Sequence, residues 1–540
     1  MKDAWDFARV DEFLAAWEPL TPWGRDAKAA REVLRDRASI EARHDDVDAA
    51  LALFAALGAE PVSLDRLAWH LRRMPRVPLD ARDSYDPLEL FQFKKFLANY
   101  RGVASIANSG GAAGRFGFAS ACQAFAAELD RGGSDAETFF LADAYHPGLA
   151  EVRSALSRVD AELRAARAAA ESRARDSAGL DFDGRDFLVV PSEALSGAVA
   201  AQAGLSLEPY DDGHFLARLL PLAAELRLAG ERELLLAEEA AREGEALARL
   251  SGMAREAMPE LRAAVNAVTR FDLARADAAL ALKLGLSRPA LDSDSMIIES
   301  ARFVPVESDC ARLGLSYRPL DVRFDSSAVV IFGSNMGGKT VALQTVLFLQ
   351  LLAQSGHFVP ARTFRTKVHA RIAYVGELAG ERLAGLSGFG FEIWRFERAW
   401  KDRTGALVAF DEFARTTGSH EAEALLSAIV EAYAKGAGGR AFFATHFRGV
   451  ARVEGASYLR MKGLDRAAAS EALDAEAPLE ERLAGINRHM RYELVEDEPG
   501  SDAGSDALAI AELLGLDPGI VARAGERFRS GKAGVRGDQD

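Results

Sequence analysis

The C-terminal half of the chain alternates short apolar runs with longer stretches of helical pattern. Three runs of four or five apolar residues, at 328–332, 407–410 and 441–444, have the composition and length of β-strands. The stretch 341–352, which follows the first run, has the apolar content of a buried helix. This alternation predicts an α/β domain with a mostly parallel sheet.

The N-terminal half is rich in alanine, leucine, arginine and glutamate, and its apolar residues recur at spacings of three and four, which predicts helices. One such stripe comprises Leu247, Leu250, Ala254, Met258, Leu261, Val265 and Val268. Because Gly244, Gly252 and Pro259 interrupt this stripe, we expect no straight, unbroken helix there. Residues 186–191 are typical of a strand and residues 210–215 of a turn, which predicts a small subdomain between helices.

A glycine-rich loop joins the first apolar run to its helix. It fits the phosphate-loop pattern G-x-x-x-x-G-K-[ST] and comprises Gly333, Ser334, Asn335, Met336, Gly337, Gly338, Lys339 and Thr340. Glycines let main-chain N–H groups and the helix N-terminus surround a triphosphate. We expect Lys339 to contact the β- and γ-phosphates and Thr340 to bind Mg²⁺. The simpler alternative is a turn before a buried helix, but the strand–loop–helix context favours a nucleotide site.

Charged side chains follow the other two apolar runs. Asp411 and Glu412 end the run 407–410, and His446 follows the run 441–444. We expect Asp411 to hold Mg²⁺ and Glu412 to orient and deprotonate the attacking water. Ligands of parallel α/β sheets bind at the carboxyl ends of the strands, so His446 is predicted to reach the γ-phosphate or this water. A lone histidine is more often structural, but its position after a strand favours a catalytic role.

Composition and charge indicate the class of protein that contains this site and the compartment in which we expect it. The chain is 49% hydrophobic and 27% charged, which is typical of a globular protein. The sequence has no apolar run long enough to span a membrane, no apolar stretch typical of a signal peptide after Met1, and two cysteines, Cys122 and Cys310. We therefore expect a cytoplasmic protein without a membrane partner. The net charge of −15, with no basic stripe, argues against tight non-specific binding to DNA.

Five motifs, in order along the chain, resemble the ATPase domain of the MutS family of DNA mismatch-repair proteins. They occupy residues 335–339, 357–361, 386–392, 410–412 and 444–447. The resemblance implies a P-loop ATPase domain of the ABC type that binds ATP and Mg²⁺ in a homodimer. It also implies that Ser387 reaches the γ-phosphate of the nucleotide bound by the other subunit, so that each site is completed in trans.

The resemblance extends to the organisation of the whole chain, and it implies a mainly helical core and lever domain ahead of the ATPase domain. The implied parts are a first portion of the helical core (1–150), an outgoing lever with a small clamp-like subdomain (151–227), a returning lever and core (228–300), the ATPase domain (301–490), a helical dimerisation segment (491–530) and a disordered tail (531–540). Because the phosphate loop begins at residue 333, we expect a truncated form that lacks the N-terminal mismatch-recognition and connector domains.

The chain departs from the family pattern after the two carboxylates. Ala414 and Thr416 stand where the family has glycines, in a loop that relays the nucleotide state, so whether hydrolysis remains coupled to binding stays open. Two functions therefore remain open as well. The family resemblance favours a dimeric ATPase that acts on DNA structure in mismatch repair or recombination. The acidic charge, the altered loop and the expected lack of reader domains favour a protein client, such as a cobalamin-dependent amino-acid aminomutase that needs reactivation.

A third interpretation, a degenerate scaffold that binds nucleotide without hydrolysing it, is disfavoured by the presence of Lys339, Asp411, Glu412 and His446.

Overall fold

The computed structural model describes residues 1–30, 32–58, 61–133, 141–333, 337–377, 388–472, 478–498 and 506–535. The chain forms two compact units. The first unit comprises Met1–Leu64, Ser109–Phe116 and Thr269–Asp540, and the second comprises Asp65–Asn108 and Gly117–Val268. The six-part division implied by the resemblance stays a prediction.

The elements are numbered in chain order. The helices are α1 (Lys2–Phe7), α2 (Val10–Leu14), α3 (Pro22–Ala30), α4 (Arg37–Leu57), α5 (Pro61–Arg72), α6 (Pro87–Ser109), α7 (Ala113–Phe116), α8 (Gln123–Asp130), α9 (Leu149–Ala178), α10 (Gly197–Ala203), α11 (Ala223–Leu284), α12 (Val304–Arg312), α13 (Lys339–Gln354), α14 (Gly388–Lys401), α15 (Ser419–Ala434), α16 (Arg466–Ala472), α17 (Leu479–His489), α18 (Asp506–Leu513) and α19 (Pro518–Val535). The strands are β1 (Phe187–Pro191), β2 (Leu205–Asp211), β3 (His214–Leu219), β4 (Met296–Ala301), β5 (Leu320–Phe324), β6 (Ala328–Phe332), β7 (Thr363–Arg365), β8 (Arg371–Val375), β9 (Ala406–Asp411), β10 (Arg440–Thr445), β11 (Ala456–Leu464) and β12 (Met490–Glu496).

The first unit is built on a six-stranded sheet with the order β12-β11-β6-β10-β9-β8. The strands from β11 to β8 are parallel, and β12 joins the edge antiparallel to β11. Strands β6 and β10 are buried along their whole length, and β9 is buried up to Asp411. The three apolar runs are therefore neighbouring central strands, which confirms the predicted α/β architecture with a mostly parallel sheet.

Helices cover both faces of this sheet, because strands buried on two sides must pack against apolar residues on each. Leu343 and Leu347 of α13 belong to the same buried cluster as Val329 and Ile331 of β6. On the other face, Leu426 of α15 packs in the cluster that contains Val330 and Val408.

The start of the chain also packs on this sheet. The ring of Phe7 in α1 stacks on that of Tyr374 in β8, with centroids 3.9 Å apart. The Gln344 side chain of α13 donates a hydrogen bond of 2.9 Å to the Phe7 carbonyl. A separate three-stranded antiparallel sheet, β5-β4-β7, completes the first unit.

The second unit contains the small subdomain predicted near residues 186–215. Strand β1 spans Phe187–Pro191, and β2 and β3 form a hairpin that turns at Asp212 and Gly213. The three strands form an antiparallel sheet in the order β1-β3-β2. Its small core includes Phe182, Val190, Leu195 and Ala217. The predicted strand and turn are confirmed.

The expectation that the stripe at 247–268 would be interrupted is wrong. Helix α11 continues from Ala223 to Leu284 with Pro259 inside it. Proline removes one helical hydrogen bond and crowds the preceding turn, which costs about 3 kcal/mol in an isolated helix. Burial offsets this cost, since Leu250, Met258 and Leu261 of the same stripe are buried. Among the helices of the described residues, none is long and apolar enough to cross a membrane.

Candidate nucleotide-binding site

The carboxyl ends of β6, β10 and β9 bring the predicted site residues to one edge of the sheet. Phe332, which precedes Gly333, pairs with Thr445, and Ala444 pairs with Asp411. Because the strands are parallel and adjacent, the phosphate loop, the two carboxylates and His446 start from neighbouring strand ends. The local sequence predicted where each strand ends, and the pairing register of β6, β10 and β9 places the three ends side by side.

Lys339 is the first residue of α13, and its side chain is almost completely buried. Its ammonium group donates a hydrogen bond of 2.8 Å to the Gly333 carbonyl. The same group lies 3.3 Å from a carboxylate oxygen of Glu412. Burial lowers the pKa of Lys339, and the neighbouring Glu412 and Asp411 carboxylates oppose this shift. A buried cation between a glycine loop and two carboxylates is suited to an anionic phosphate.

Thr340 and Asp411 form an oxygen-rich pair. The Thr340 hydroxyl lies 3.1 Å and 3.3 Å from the two carboxylate oxygens of Asp411 and donates a hydrogen bond to them. Burial raises the pKa of Asp411 to about 6, against the stabilising effect of the Thr340 hydrogen bond. A hydroxyl and a carboxylate are ligands that Mg²⁺ prefers, and a cation there would favour the ionised form of Asp411. These two residues therefore fit the metal that the resemblance implies.

Glu412 connects the lysine to the histidine. One of its carboxylate oxygens faces Lys339, and the other lies 3.2 Å from Nδ1 of His446. Its backbone N–H donates to the Ala444 carbonyl at 2.9 Å, which fixes the residue against β10. Glu412 has a left-handed backbone, with φ of 51°. Such a conformation is strained for a residue with a side chain and recurs at functional sites.

The loop after Glu412 shows what the departure from the family pattern means physically. Ala414, where the resemblance implies glycine, is buried and has φ of 66°, a conformation that favours glycine. Its backbone N–H donates to a carboxylate oxygen of Glu392 at 2.8 Å. Burial raises the pKa of Glu392, and this hydrogen bond opposes the shift. The strained loop is thus held by a half-buried carboxylate of α14, whose partners the sequence did not reveal.

Two glycines of the phosphate loop are closely approached by other side chains. A Cβ at Gly338, whose φ is 88°, would lie 2.9 Å from the ring of Tyr492. A Cβ at Gly333 would lie 3.2 Å from Met461. Met461 belongs to β11 and Tyr492 to β12, and neither lies in any motif of the sequence. Reasoning from motifs therefore missed two residues that shape the loop.

A cavity of about 290 Å³ opens beside the loop within the first unit. It begins at Gly338 and Thr340 and continues between residues from α12, β5, β11, α17 and β12. Its other lining residues are Val306, Cys310, Ser316, Tyr317, Arg318, Leu320, Val341, Ala342, Thr345, Met461, Asn487 and Tyr492. No spacing in the sequence indicates this cavity, because its walls come from distant parts of the chain.

Four of the residues predicted for the site, Ser334, Asn335, Met336 and Ser387, lie outside the described residues. Their contacts with phosphate, and the role of Ser387 in trans, stay predictions.

The fold and the site together define a mixed α/β protein with a charged site at the carboxyl edge of a parallel sheet. Residues 329–528 match the family model described as MutS domain V. This match begins in β6 and includes Lys339, Asp411, Glu412 and His446.

The chain is also similar in sequence to individual MutS and MutS2 proteins. The chain is 28% identical over 318 residues to the DNA mismatch repair protein MutS of Myxococcus xanthus (strain DK1622), which covers 57% of this chain and 33% of the relative. It is 31% identical over 318 residues to the protein of the same name from Caulobacter vibrioides (strain ATCC 19089 / CIP 103742 / CB 15), covering 57% and 32%. The Endonuclease MutS2 of Lactobacillus helveticus (strain DPC 4571) is 27% identical over 307 residues, covering 56% and 36%.

The chain matches about a third of the length of these relatives. The comparisons therefore support the resemblance to MutS proteins over about half of the chain. The truncation inferred from the sequence stays a prediction.

Proposed function

We propose that this chain is a MutS-like ATPase that binds and hydrolyses ATP with Mg²⁺ and acts as a homodimer on DNA structure. One observation carries the proposal: Lys339 and His446 both meet Glu412, next to the Thr340–Asp411 pair, at the carboxyl edge of a parallel sheet. A cation, an acid–base pair and a metal-binding pair are the components that phosphoryl transfer to water requires.

Each residue would have a distinct part in hydrolysis. Lys339 exchanges its contact with Glu412 for the β- and γ-phosphates when the triphosphate binds. This exchange frees the Glu412 carboxylate to accept a proton from the attacking water. His446 holds the other oxygen of Glu412 and so orients the base. Thr340 and Asp411 would hold Mg²⁺, which neutralises charge that develops on the phosphates.

The homodimer rests on Ser387 completing the opposite site. Mixing Ser387→Ala chains with Lys339→Ala chains tests this arrangement. If Ser387 acts in trans, both lesions fall on one site and the other is whole, so each mixed dimer regains up to about half of wild-type ATPase activity when the sites are independent. If Ser387 acts in cis, each site carries one lesion, and verified mixed dimers stay inactive.

DNA as the client follows from the relatives, whose names describe DNA mismatch repair and an endonuclease. The test is the steady-state ATPase rate of the full chain with no DNA and with duplex, branched or single-stranded DNA. We expect one DNA structure to change the rate and to bind more tightly with ATP present. Equal rates under all four conditions, with no binding to any of the three DNA forms, would remove DNA as the client.

A second candidate is a protein client, and the small sheet β1-β3-β2 favours it. Residues 180–220 carry seven carboxylates and two arginines, namely Asp181, Asp183, Asp186, Glu193, Glu208, Asp211 and Asp212 against Arg185 and Arg218. DNA phosphates would be repelled by this surface. Tyr210 and Val189 on the same sheet are 61% and 44% exposed, and exposed apolar residues are typical of protein interfaces. This candidate would be favoured if the ATP-bound chain bound one particular protein and no DNA structure changed the ATPase rate.

A further inference from the structure

Three arginines surround one carboxylate at the carboxyl edge of the parallel sheet. Asp497, which directly follows β12, is buried, and a guanidinium nitrogen of Arg448 lies 3.3 Å from it. Arg452 forms a hydrogen-bonded ion pair with the same carboxylate, and Nε of Arg460 lies 3.9 Å away. Among the described residues, no other carboxylate pairs with these arginines. Three positive charges therefore face one negative charge, and the excess favours the binding of an anion.

This arginine cluster lies next to the phosphate loop. The guanidinium of Arg448 lies over the ring of Phe332, 5.1 Å from its centroid. Phe332 directly precedes Gly333, the first residue of the loop, and pairs with Arg460 where β6 and β11 run side by side. Burial is the main cause that lowers the pKa of Lys339, and the positive charge of Arg448 acts in the same direction. An anion bound by the cluster would therefore lie beside the phosphates of a bound nucleotide.

The loop that carries Arg448 and Arg452, residues 446–455, is anchored on both sides. The backbone N–H of Gly449 donates a hydrogen bond of 2.7 Å to a carboxylate oxygen of Glu423 in α15. The Tyr458 hydroxyl of β11 donates one hydrogen bond to the loop backbone and accepts another, both of 2.9 Å. The guanidinium of Arg452 also lies over the Tyr458 ring, 4.9 Å from its centroid. The two arginines are thus held before any ligand binds, which reduces the entropy that binding costs.

Both arginines keep hydrogen-bond donors that solvent can reach. Asp497 accepts from Nη1 of Arg448 and from Nη2 of Arg452. The two arginine side chains are nevertheless 45% and 36% exposed. A guanidinium has five N–H donors in a planar fork, and this fork matches the oxygens of a phosphate group. Asp497 therefore orients the two guanidiniums from the buried side, and their other donors remain for a ligand on the exposed side.

We propose that Arg448 and Arg452 bind the inorganic phosphate that ATP hydrolysis releases, at a site beside the phosphate loop and separate from it. The inference rests on the proposed hydrolysis for the source of this ion. In that reaction water attacks the γ-phosphate near Glu412 and His446, and Arg448 follows His446 by two residues. Phosphate is a mono- or dianion near neutral pH, so it offsets the excess positive charge of the cluster.

The test is equilibrium dialysis of radiolabelled inorganic phosphate against the full chain, with ADP and Mg²⁺ present in excess. We expect saturable binding to wild type that sulfate, another tetrahedral anion, displaces and that chloride at equal ionic strength does not. Arg448→Gln and Arg452→Gln should each weaken phosphate binding at least about tenfold, the usual effect of losing a charge-assisted hydrogen bond. Lys339→Ala should bind phosphate within about threefold of wild type, because the site does not use the phosphate loop. Arg362→Gln, which removes an exposed arginine elsewhere, is the matched control and should stay within about twofold.

Three results would overturn the inference. Absence of saturable binding in wild type and Lys339→Ala alike would reject the site, and this result does not require the arginine variants to fold. Loss of binding in Lys339→Ala, with retention in both arginine variants, would assign the ion to the phosphate loop. Displacement of the ion by duplex DNA would assign the cluster to a backbone phosphate of DNA. The proposed function fails separately, if wild type neither binds nor hydrolyses ATP, and binding of phosphate by the cluster stays measurable in that case.

Discussion

The mostly parallel sheet of the first unit and the small antiparallel sheet of the second unit differ in how deeply their strands are buried. Strands β6, β9 and β10 bury almost every side chain, and apart from Arg440 at the start of β10 their polar residues stand at the carboxyl ends. Strands β1, β2 and β3 expose much of their surface, and β2 carries the carboxylates Glu208 and Asp211. A sheet buried on both faces leaves only its edges for chemistry, whereas an exposed sheet offers a face to a partner.

The largest expected effect comes from removing the base at the buried edge. Glu412→Gln keeps the shape of the side chain but cannot take a proton from water. We expect ATP binding to persist while turnover falls by about 10²- to 10⁴-fold, the usual range for a lost general base. Single-turnover ATPase assays measure this. Glu397→Gln, an exposed glutamate of α14, is the matched control, and unchanged turnover in Glu412→Gln would move the base to another residue.

Lys339→Ala tests the phosphate end of the same edge. The triphosphate would lose the buried cation that matches its charge, so we expect ATP affinity to fall on the order of 100-fold. Titration calorimetry gives the dissociation constant. Lys401→Ala, at the exposed end of α14, serves as the control for a lost positive charge. Wild-type affinity in Lys339→Ala would contradict the phosphate-loop assignment.

Acidity should affect the site through Asp411. Its pKa of about 6 means that at pH 5 only about a tenth of the carboxyl is ionised and able to bind Mg²⁺. At Mg²⁺ concentrations well below saturation, where proton and metal compete for this carboxylate, we therefore expect turnover to fall about tenfold between pH 7 and pH 5. Turnover that stays constant over this range would contradict the raised pKa.

The same pKa predicts the sign of a change in stability. A carboxyl whose pKa is higher in the folded than in the unfolded state binds more protons when folded. Its contribution to the free energy of unfolding is therefore largest below the unfolded pKa and is lost as pH rises through about 6. Melting curves without Mg²⁺ should accordingly show wild type losing stability relative to Asp411→Asn between pH 4 and pH 7. The opposite trend would exclude a raised pKa.

The smallest expected effect concerns the exposed sheet. Tyr210→Ser and Val189→Ser remove apolar surface that contacts solvent, so basal ATPase activity should stay within about twofold of wild type. If this sheet is the client surface, the same variants lose the change in ATPase rate that the client causes. If Tyr210→Ser or Val189→Ser lowered basal turnover as strongly as Glu412→Gln, the exposed sheet would contribute to catalysis, and the contrast between a catalytic sheet and a partner-binding sheet would be wrong.

The same contrast explains what sequence could and could not predict. The strand–loop–helix at 328–352 and the strand ends at Asp411 and His446 are local patterns, so they were predictable. The order of strands was not, because it depends on pairing between distant segments. Tyr492 and Met461 reach the phosphate loop only because β11 lies beside β6. Pro259 remained inside a helix because tertiary burial outweighed its local preference.

The packing of Phe7 on Tyr374 has a consequence for how the chain is made. These two rings stack in the folded protein although they lie 367 positions apart in sequence. A ribosome that adds 5–20 residues per second needs roughly 20–70 s to synthesise that interval. During this interval helix α1 has already been synthesised, but strand β8, which covers it in the folded protein, has not. The apolar start of the chain is therefore expected to need protection by chaperones during translation, long before any nucleotide can bind.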